Sequence, residues 1–225
     1  MAYLSVPKIV ESISASGKGV FTLNDIAKLT GKNKRYLSRL MSTSENVGHL
    51  ERNKYYVKGS DIYALASNIV YPSYISLLSA FRYHNITTQV PVRFAVITTK
   101  RHAEIVLEGV KIDFITFGRE RVFGYERING AFVAAIEKSI VDALYLSDPP
   151  YAYVEEAFKK AVEKIDLQKL KEYGIYMKSK TLISRLGFLL DSSGENADDL
   201  LEYRSEKRIF ISKNGTLNRK WGIYA

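Results

Sequence analysis

The side chains best suited to a chemical task are cationic and are concentrated in the first 60 residues. This stretch holds ten Lys or Arg against four Asp or Glu, so it carries +6 of the chain's net charge of +9. Guanidinium and ammonium groups bind phosphates and, like hydroxyls, donate hydrogen bonds to base edges. A charged surface that only keeps the protein in solution is the alternative explanation. The candidate ligands of a nucleic acid are Lys32, Lys34, Arg35, Ser38, Arg39, Arg52 and Lys54.

Three short helices are predicted to position most of these residues. Apolar side chains recur at helical spacing over 6–13, 23–29 and 33–42. Thr22 is a suitable N-cap for the second helix, and Gly31 stands where a helix ends in the left-handed conformation. The second and third helices are therefore joined by a turn of helix-turn-helix length.

The third helix is expected to be amphipathic. Tyr36, Leu37 and Leu40 are predicted to face inward, which leaves the cations and the serine of this helix on its outer face. A helix of this kind fits the major groove of DNA, where its outer side chains reach base edges and phosphates. Lys32 would approach the DNA from the turn in front of the helix.

A basic β-hairpin is predicted after the third helix. Two β-prone runs, 48–52 and 55–58, flank a turn at Asn53-Lys54. Three helices followed by a hairpin are the order of a winged helix-turn-helix domain, whose hairpin would bring Arg52 and Lys54 to the phosphate backbone. A small helical cap with solvated charges and a winged helix that contacts only proteins are the alternatives.

The remainder of the chain is predicted to form a larger mixed domain. The expected fold class is α+β, with a winged helix-turn-helix domain over residues 1–64 and a mixed α/β C-terminal domain over 65–225 containing a small sheet and packed helices. A helix over 74–83 is apolar on nearly every side and is therefore predicted to be buried. The other predicted elements are strands over 89–99, 110–117 and 131–135, helices over 136–146, 154–165, 167–173 and 180–190, and a hairpin over 208–224 with an Asn214-Gly215 turn.

The sequence offers no recognisable catalytic or metal site. The absence of cysteine excludes a thiol nucleophile, disulfides and Cys-ligated zinc. His49, His84 and His102 are not spaced as a ligand pair, and His84 is expected to cap or pack against a buried helix. Asp198 and Asp199 are adjacent, whereas the paired aspartates of a nucleotidyltransferase alternate along a strand. We therefore expect no enzymatic activity, no metal and no cofactor.

The sequence also predicts a cytoplasmic protein without membrane segments. No apolar run approaches the ~18 residues that cross a bilayer. The N-terminal segment MAYLSVPKIVES contains a proline and a glutamate where a signal peptide would be apolar.

Two stretches of the larger domain resemble a known family. They are YPSYISLLSAFRYHNIT (71–87) and FVAAIEKSIVDALY (132–145), with ITTKR (97–101) between them. They resemble the AbiEi-like antitoxins and transcriptional regulators, whose members pair a winged-helix N-terminus with this kind of C-terminal domain. Many members follow the first stretch with a His-Gly turn, where this chain has His84-Asn85. Asparagine also tolerates the left-handed conformation of such a turn.

The resemblance implies a repressor of its own operon that binds operator repeats in double-stranded DNA. It also implies an antitoxin that opposes a nucleotidyltransferase-like toxin of a type IV pair. Alternatives are a solitary regulator, an RNA-binding body and a nucleic-acid-modifying enzyme resembling a nucleotidyltransferase. Because one such module makes few base contacts, we expect two copies to associate on inverted repeats. Five cations form either a second DNA-facing surface or a solvated hairpin edge: Lys207, Arg208, Lys213, Arg219 and Lys220.

Overall fold

The computed structural model describes residues 6–15, 17, 19–212 and 215–225 and shows a mixed α+β protein. The α-helices of these ranges are α1 (Val6–Ala15), α2 (Leu23–Thr30), α3 (Lys34–Ser42), α4 (Ile62–Asn68), α5 (Leu77–Tyr83), α6 (Ile136–Leu146), α7 (Tyr151–Ala161), α8 (Leu167–Tyr176) and α9 (Lys180–Ser192). The strands are β1 (Val20–Thr22), β2 (Val47–Glu51), β3 (Lys54–Val57), β4 (Ser73–Ile75), β5 (Arg93–Thr98), β6 (Ile105–Leu107), β7 (Val110–Thr116), β8 (Tyr125–Ile128), β9 (Ala131–Ala134), β10 (Ile209–Phe210), β11 (Leu217–Asn218) and β12 (Ile223–Tyr224).

Helices α1 to α3 and the antiparallel sheet β1-β3-β2 form an N-terminal module with its own apolar core. The expected cap at Thr22 is confirmed as a reciprocal capping box. The Asp25 N–H donates to the Thr22 hydroxyl oxygen at 3.2 Å, and the Thr22 N–H donates to the Asp25 carboxylate at 2.8 Å. The expected end of α2 is also confirmed, since Gly31 has a φ of 66°. These two ends fix the short turn that leads into α3.

The body of the protein, from α4 to β12, is built on a six-stranded sheet with the order β6-β7-β5-β4-β9-β8. The pairs β5–β7 and β4–β9 are parallel, and the other pairs are antiparallel. Helix α6 contacts β9 and also packs against α5, α7, α8 and α9. The largest apolar core of the described residues lies between this helical layer and the sheet. The predicted helix over 136–146 is confirmed with the same bounds.

Strand β4 corrects the prediction of one continuous helix over 74–83. Residues 73–75 pair with β5 on one side and, at Ile75, with β9 on the other, and α5 begins only at Leu77 after Ser76. Hydrogen bonds to neighbouring strands determine that this segment is a strand. Its apolar composition suits a buried central strand as well as a buried helix. The turn after α5 is as expected, because Asn85 has a φ of 57°.

The C-terminal segment is a three-stranded sheet rather than the predicted single hairpin. Strand β12 pairs in parallel with β10 and antiparallel with β11. The Asn214 position of the predicted turn lies outside the described residues. The indole of Trp221 is buried and donates to Asp191 of α9 at 2.7 Å. A side chain at Gly187 would collide with that indole ring, so the close approach requires glycine there.

The N-terminal module and the body share a buried contact. A third core joins Val20 of β1 to Leu65 of α4 and to strands of the body, with Leu50 and Tyr56 of the β2–β3 hairpin packed against it. The domain boundary expected after residue 64 falls inside α4.

Helix α4 and the short strands β1, β6 and β8 are absent from the sequence-based prediction, since segments of three to seven residues carry little periodicity.

A fully buried ion pair lies at the centre of the body. Lys138 and Asp142, one turn apart on α6, have no side-chain exposure and form a direct ion pair. The Asp142 carboxylate also accepts hydrogen bonds from Tyr74 at 3.0 Å and from Ser76 at 2.8 Å. The Lys138 ammonium lies 4.5 Å from the ring centroid of Phe123. The pair therefore links α6 to the central strand β4 and to the start of α5.

We expect Lys138→Met to lower the free energy of unfolding by about 3–5 kcal/mol, because it leaves the Asp142 carboxylate buried without a counter-charge. Adding Asp142→Asn should recover most of this loss, since the amide carries no charge and still accepts hydrogen bonds from the neighbouring hydroxyls. Urea unfolding followed by circular dichroism measures both. Lys159→Met, which removes an exposed pair with Glu155, is the control. Equal losses in the single and double variants would contradict the charge argument.

Candidate nucleic-acid interface

Helix α3 is held by its inner face and leaves its outer face open. Leu37 and Met41 are buried in the core of the N-terminal module. The Asn33 side chain caps the helix by accepting the Arg35 N–H at 2.8 Å. Leu40 is only partly buried, and Met41 supplies an inward contact that the sequence analysis did not assign. The expected helix is confirmed, with Lys34–Ser42 as its bounds.

Four of the predicted cations are exposed, three of them on α3 and one in the turn before it. Lys32, Lys34, Arg35 and Arg39 are exposed. None of them forms an ion pair with a described residue, and α3 has no acid in its sequence. Uncompensated cations on one side of a short helix create a positive potential that attracts a polyanion.

Ser38 lies at the edge of the same face. It is half-buried, and its hydroxyl oxygen is 3.4 Å from that of Tyr55 on β3. The hydroxyl is thus directed partly toward the sheet, and a base contact would require it to turn away from Tyr55.

Tyr36 differs from its prediction. It was expected to face inward, but 52% of its surface is exposed. The core of the module is filled by Leu37 and Met41 instead, and the ring of Tyr36 is exposed on the same helix as Arg35 and Arg39. An exposed aromatic ring in this place adds an apolar contact that could meet a sugar or a thymine methyl group. Leu29, also expected inside, is 59% exposed on α2.

The tip of the β2–β3 hairpin presents one cation instead of two. Arg52 is exposed beside Asn53, whose φ of 63° forms the turn. Lys54 is directed toward the body, where its ammonium group donates to Glu51 at 2.5 Å and to the Ile69 carbonyl oxygen at 2.8 Å. The charge of Lys54 is thus already paired in the free protein, and a phosphate contact by Lys54 would require this ion pair to open.

Glu51 extends this contact to a loop of the body. Its second carboxylate oxygen lies 3.2 Å from Nε2 of His102. Partial burial alone would raise the pKa of Glu51, but the hydrogen bond and charge of Lys54, together with His102, lower it below its ordinary value. A charged Glu51 thus connects Lys54 of the hairpin to His102 of the body.

Other side chains of types that can act in catalysis or metal binding make structural contacts. Among the described residues, no cluster of His, Asp and Glu is arranged to hold a metal ion. Nε2 of His84 lies 2.7 Å from the Ala134 carbonyl oxygen, which confirms its packing role. Burial lowers the pKa of His84. Asp198 pairs with Lys220 at 2.7 Å and Asp199 with Lys171 at 2.8 Å, so the two carboxylates serve separate ion pairs.

The cations near the C-terminus do not form one free surface. Lys220 is paired with Asp191 as well as with Asp198, and Arg208 donates to the Tyr224 hydroxyl at 3.3 Å. Lys207 and Arg219 are exposed, and Lys213 lies outside the described residues. None of the helices in the described ranges combines the length and apolar character needed to cross a membrane.

Comparison with known proteins gives a similarity in structure. No family model matches the chain, and no curated protein matches it. Its structure is similar to the crystal structure of the RV2827C protein from Mycobacterium tuberculosis, with a TM-score of 0.64 and 15% sequence identity. The match covers 96% of this chain and 89% of that chain. At this identity the similarity concerns the fold alone, and it extends over nearly the whole chain.

Proposed function

We propose that the protein is a sequence-specific DNA-binding transcriptional regulator. In this proposal the N-terminal module is a winged helix-turn-helix, with α2 and α3 as the helix-turn-helix and the β2–β3 hairpin as the wing. The observation that supports it best is the set of four exposed, unpaired cations on and before α3. A positive face on a helix that is otherwise fixed by its core contacts is the arrangement that major-groove binding uses.

The dimensions of α3 fit this role. An α-helix with its side chains is about 10–12 Å across, and the major groove of B-DNA is about 12 Å wide. The N-terminal residues of a recognition helix contact base edges, and here they are Lys34 and Arg35. Arg39 lies one turn further along the helix and is placed for a base edge or a phosphate. Arg52 at the hairpin tip would contact the backbone beside the groove.

Specific binding would require two copies. A single module of this size buries only about 600–1,000 Å² on DNA, which gives limited specificity. Two copies on inverted repeats double the contacts and match a two-fold axis in the protein to one in the DNA. The region upstream of the protein's own gene is the first sequence to test, because the family resemblance implies repression of its own operon.

We also propose that the protein is an antitoxin. The resemblance of residues 71–87 and 132–145 to the AbiEi-like antitoxins supports this role. A nucleotidyltransferase-like toxin would be encoded beside this gene, and this protein would oppose its action. Co-expression tests this directly: the neighbouring gene alone should stop growth, and the pair should restore it. A solitary regulator would bind its operator and leave such a toxin fully active. A nucleic-acid-modifying enzyme would instead turn over nucleotide or nucleic acid, which purified protein would reveal.

Replacing Arg35 or Arg39 by Ala should weaken binding to upstream duplex DNA by about 1–3 kcal/mol each if the side chain reads a base. Fluorescence anisotropy titrations at fixed salt measure the affinity. Lys100→Ala with Arg101→Ala removes the same two charges from an exposed loop of the body and is the matched control. Full affinity in the double Arg35→Ala and Arg39→Ala variant would reject α3 as the recognition helix.

The hairpin gives a second test, because its two cations have different surroundings. Arg52→Ala should weaken binding to all sequences alike and reduce the slope of log affinity against log salt by roughly one. Lys54→Ala should leave that slope unchanged, since the ammonium is held by Glu51 and the Ile69 carbonyl oxygen. Titrations at four salt concentrations separate the two. A flattened slope with Lys54→Ala would show that the ion pair opens when DNA binds.

Binding in pairs is tested with DNA that carries one or two copies of the mapped half-site. We expect cooperative binding to two half-sites, and a duplex that separates them by an extra half helical turn should abolish the cooperativity. Native mass spectrometry of the complexes gives the number of protein chains on each duplex. Equal affinity per chain on one and two half-sites would contradict paired binding.

A further inference from the structure

A cavity far from the cationic face of α3 has an unusual combination of charge and apolar lining. It has a volume of about 220 Å³ and lies where the end of α6, the start of α7, the middle of α9 and strand β10 meet. Its walls are mainly apolar and include Leu144, Pro150, Val154, Phe210 and Ile211. Among the described residues of its lining, the charged one is Arg185 of α9.

The guanidinium group of Arg185 is only partly satisfied. Nη1 donates to the Leu144 carbonyl oxygen at 2.7 Å, at the end of α6. Nε is enclosed and has no hydrogen-bond partner, and Nη2 makes no hydrogen bond, within the part of the chain that the structure describes. The hydroxyl of Tyr151, another lining residue, is also enclosed.

No acid of this protein neutralises Arg185. Every Asp and Glu of the sequence lies in the described ranges, and none of them is ion-paired with Arg185. Burial lowers the pKa of this guanidinium, with no opposing effect from a carboxylate. Other cations of the body with little exposure do have partners: Lys138 pairs with Asp142, and Lys171 with Asp199. A half-buried charge without compensation is unfavourable, so a bound anion would remove a cost that the free protein carries.

We propose that this cavity is a binding site for a small apolar carboxylate. The carboxylate would accept a hydrogen bond from Nη2 of Arg185, the guanidinium nitrogen that is neither enclosed nor bonded to a described residue. The apolar part would lie against Val154, Phe210 and Ile211. The volume is below the usual range of about 300–1,000 Å³ for sites of drug-sized ligands, which favours a molecule with one ring or a short chain.

Occupancy would connect parts of the body that are distant in sequence. Phe210 and Ile211 belong to the C-terminal segment, whereas Leu144 and Arg185 belong to α6 and α9. A ligand in contact with all of them would stabilise the C-terminal segment against the helices, since binding to the folded state alone raises stability. This site is separate from the DNA-binding face and does not depend on the function proposed for it.

The probe is 4-fluorophenylacetate, observed by fluorine NMR with the full-length protein. We expect saturable line broadening with the native protein and an affinity at least about tenfold lower for Arg185→Met, because a charge-assisted hydrogen bond is lost. Arg101→Met, which changes an exposed arginine elsewhere, is the matched control and should bind as the native protein does. No saturable binding up to about 10 mM, the weak end of measurable affinity, would overturn the proposal.

Thermal melts show whether Arg185→Met folds. If it does not fold, two further measurements test the proposal. The uncharged 2-(4-fluorophenyl)ethanol should not bind, and binding equal to that of the acid would overturn the role of charge. Phe210→Ala changes a wall residue that is 65% exposed and should fold normally while binding the acid several-fold more weakly. Unchanged binding by Phe210→Ala, or full displacement by equimolar inorganic phosphate, would overturn the apolar part of the site.

Discussion

The buried ion pair between Lys138 and Asp142 is the contact on which the body depends most. Two opposite charges removed from water are stable only when each meets the other and their remaining hydrogen-bonding capacity is used. Here Tyr74 and Ser76 supply hydroxyls to the carboxylate, and aromatic rings surround the ammonium group. The pair therefore sets the position of α6 over the central strand β4. Because α6 also contacts α7, α8 and α9, the whole helical layer takes its place from this helix.

The N-terminal module is joined to that body by a small number of polar contacts over a shared apolar core. Lys54 donates to the Ile69 carbonyl oxygen, and Glu51 lies between Lys54 and His102. These contacts hold the pair of residues that closes the hairpin turn and leave Arg52 and α3 free. In the proposed regulator they would hold the wing at a constant angle to the recognition helix.

The charges of the protein divide between two kinds of surface. On α3 they are exposed and unpaired, which suits a ligand that is itself highly charged and hydrated. In the body, cations with little exposure such as Lys138 and Lys171 are paired with carboxylates, whereas the half-buried Arg185 donates to a backbone carbonyl oxygen. A half-buried arginine among apolar walls suits a small ligand with one acidic group better than it suits a nucleic acid. The two proposed sites thus differ in burial and in the size of ligand they accept.

The sequence by itself determined the features that depend on near neighbours. The Thr22 cap, the Gly31 helix end, the bounds of α6 and the run of cations on α3 all follow from residues a few positions apart. Only the tertiary structure decided that residues 73–75 are a central strand, that Tyr36 faces outward and that Lys54 is paired with the body. The physical reason is that strand partners, burial and ion pairs depend on groups distant in sequence. The periodicity of nearby residues carries no information about which distant residue will be the strand partner, the packing neighbour or the counter-ion.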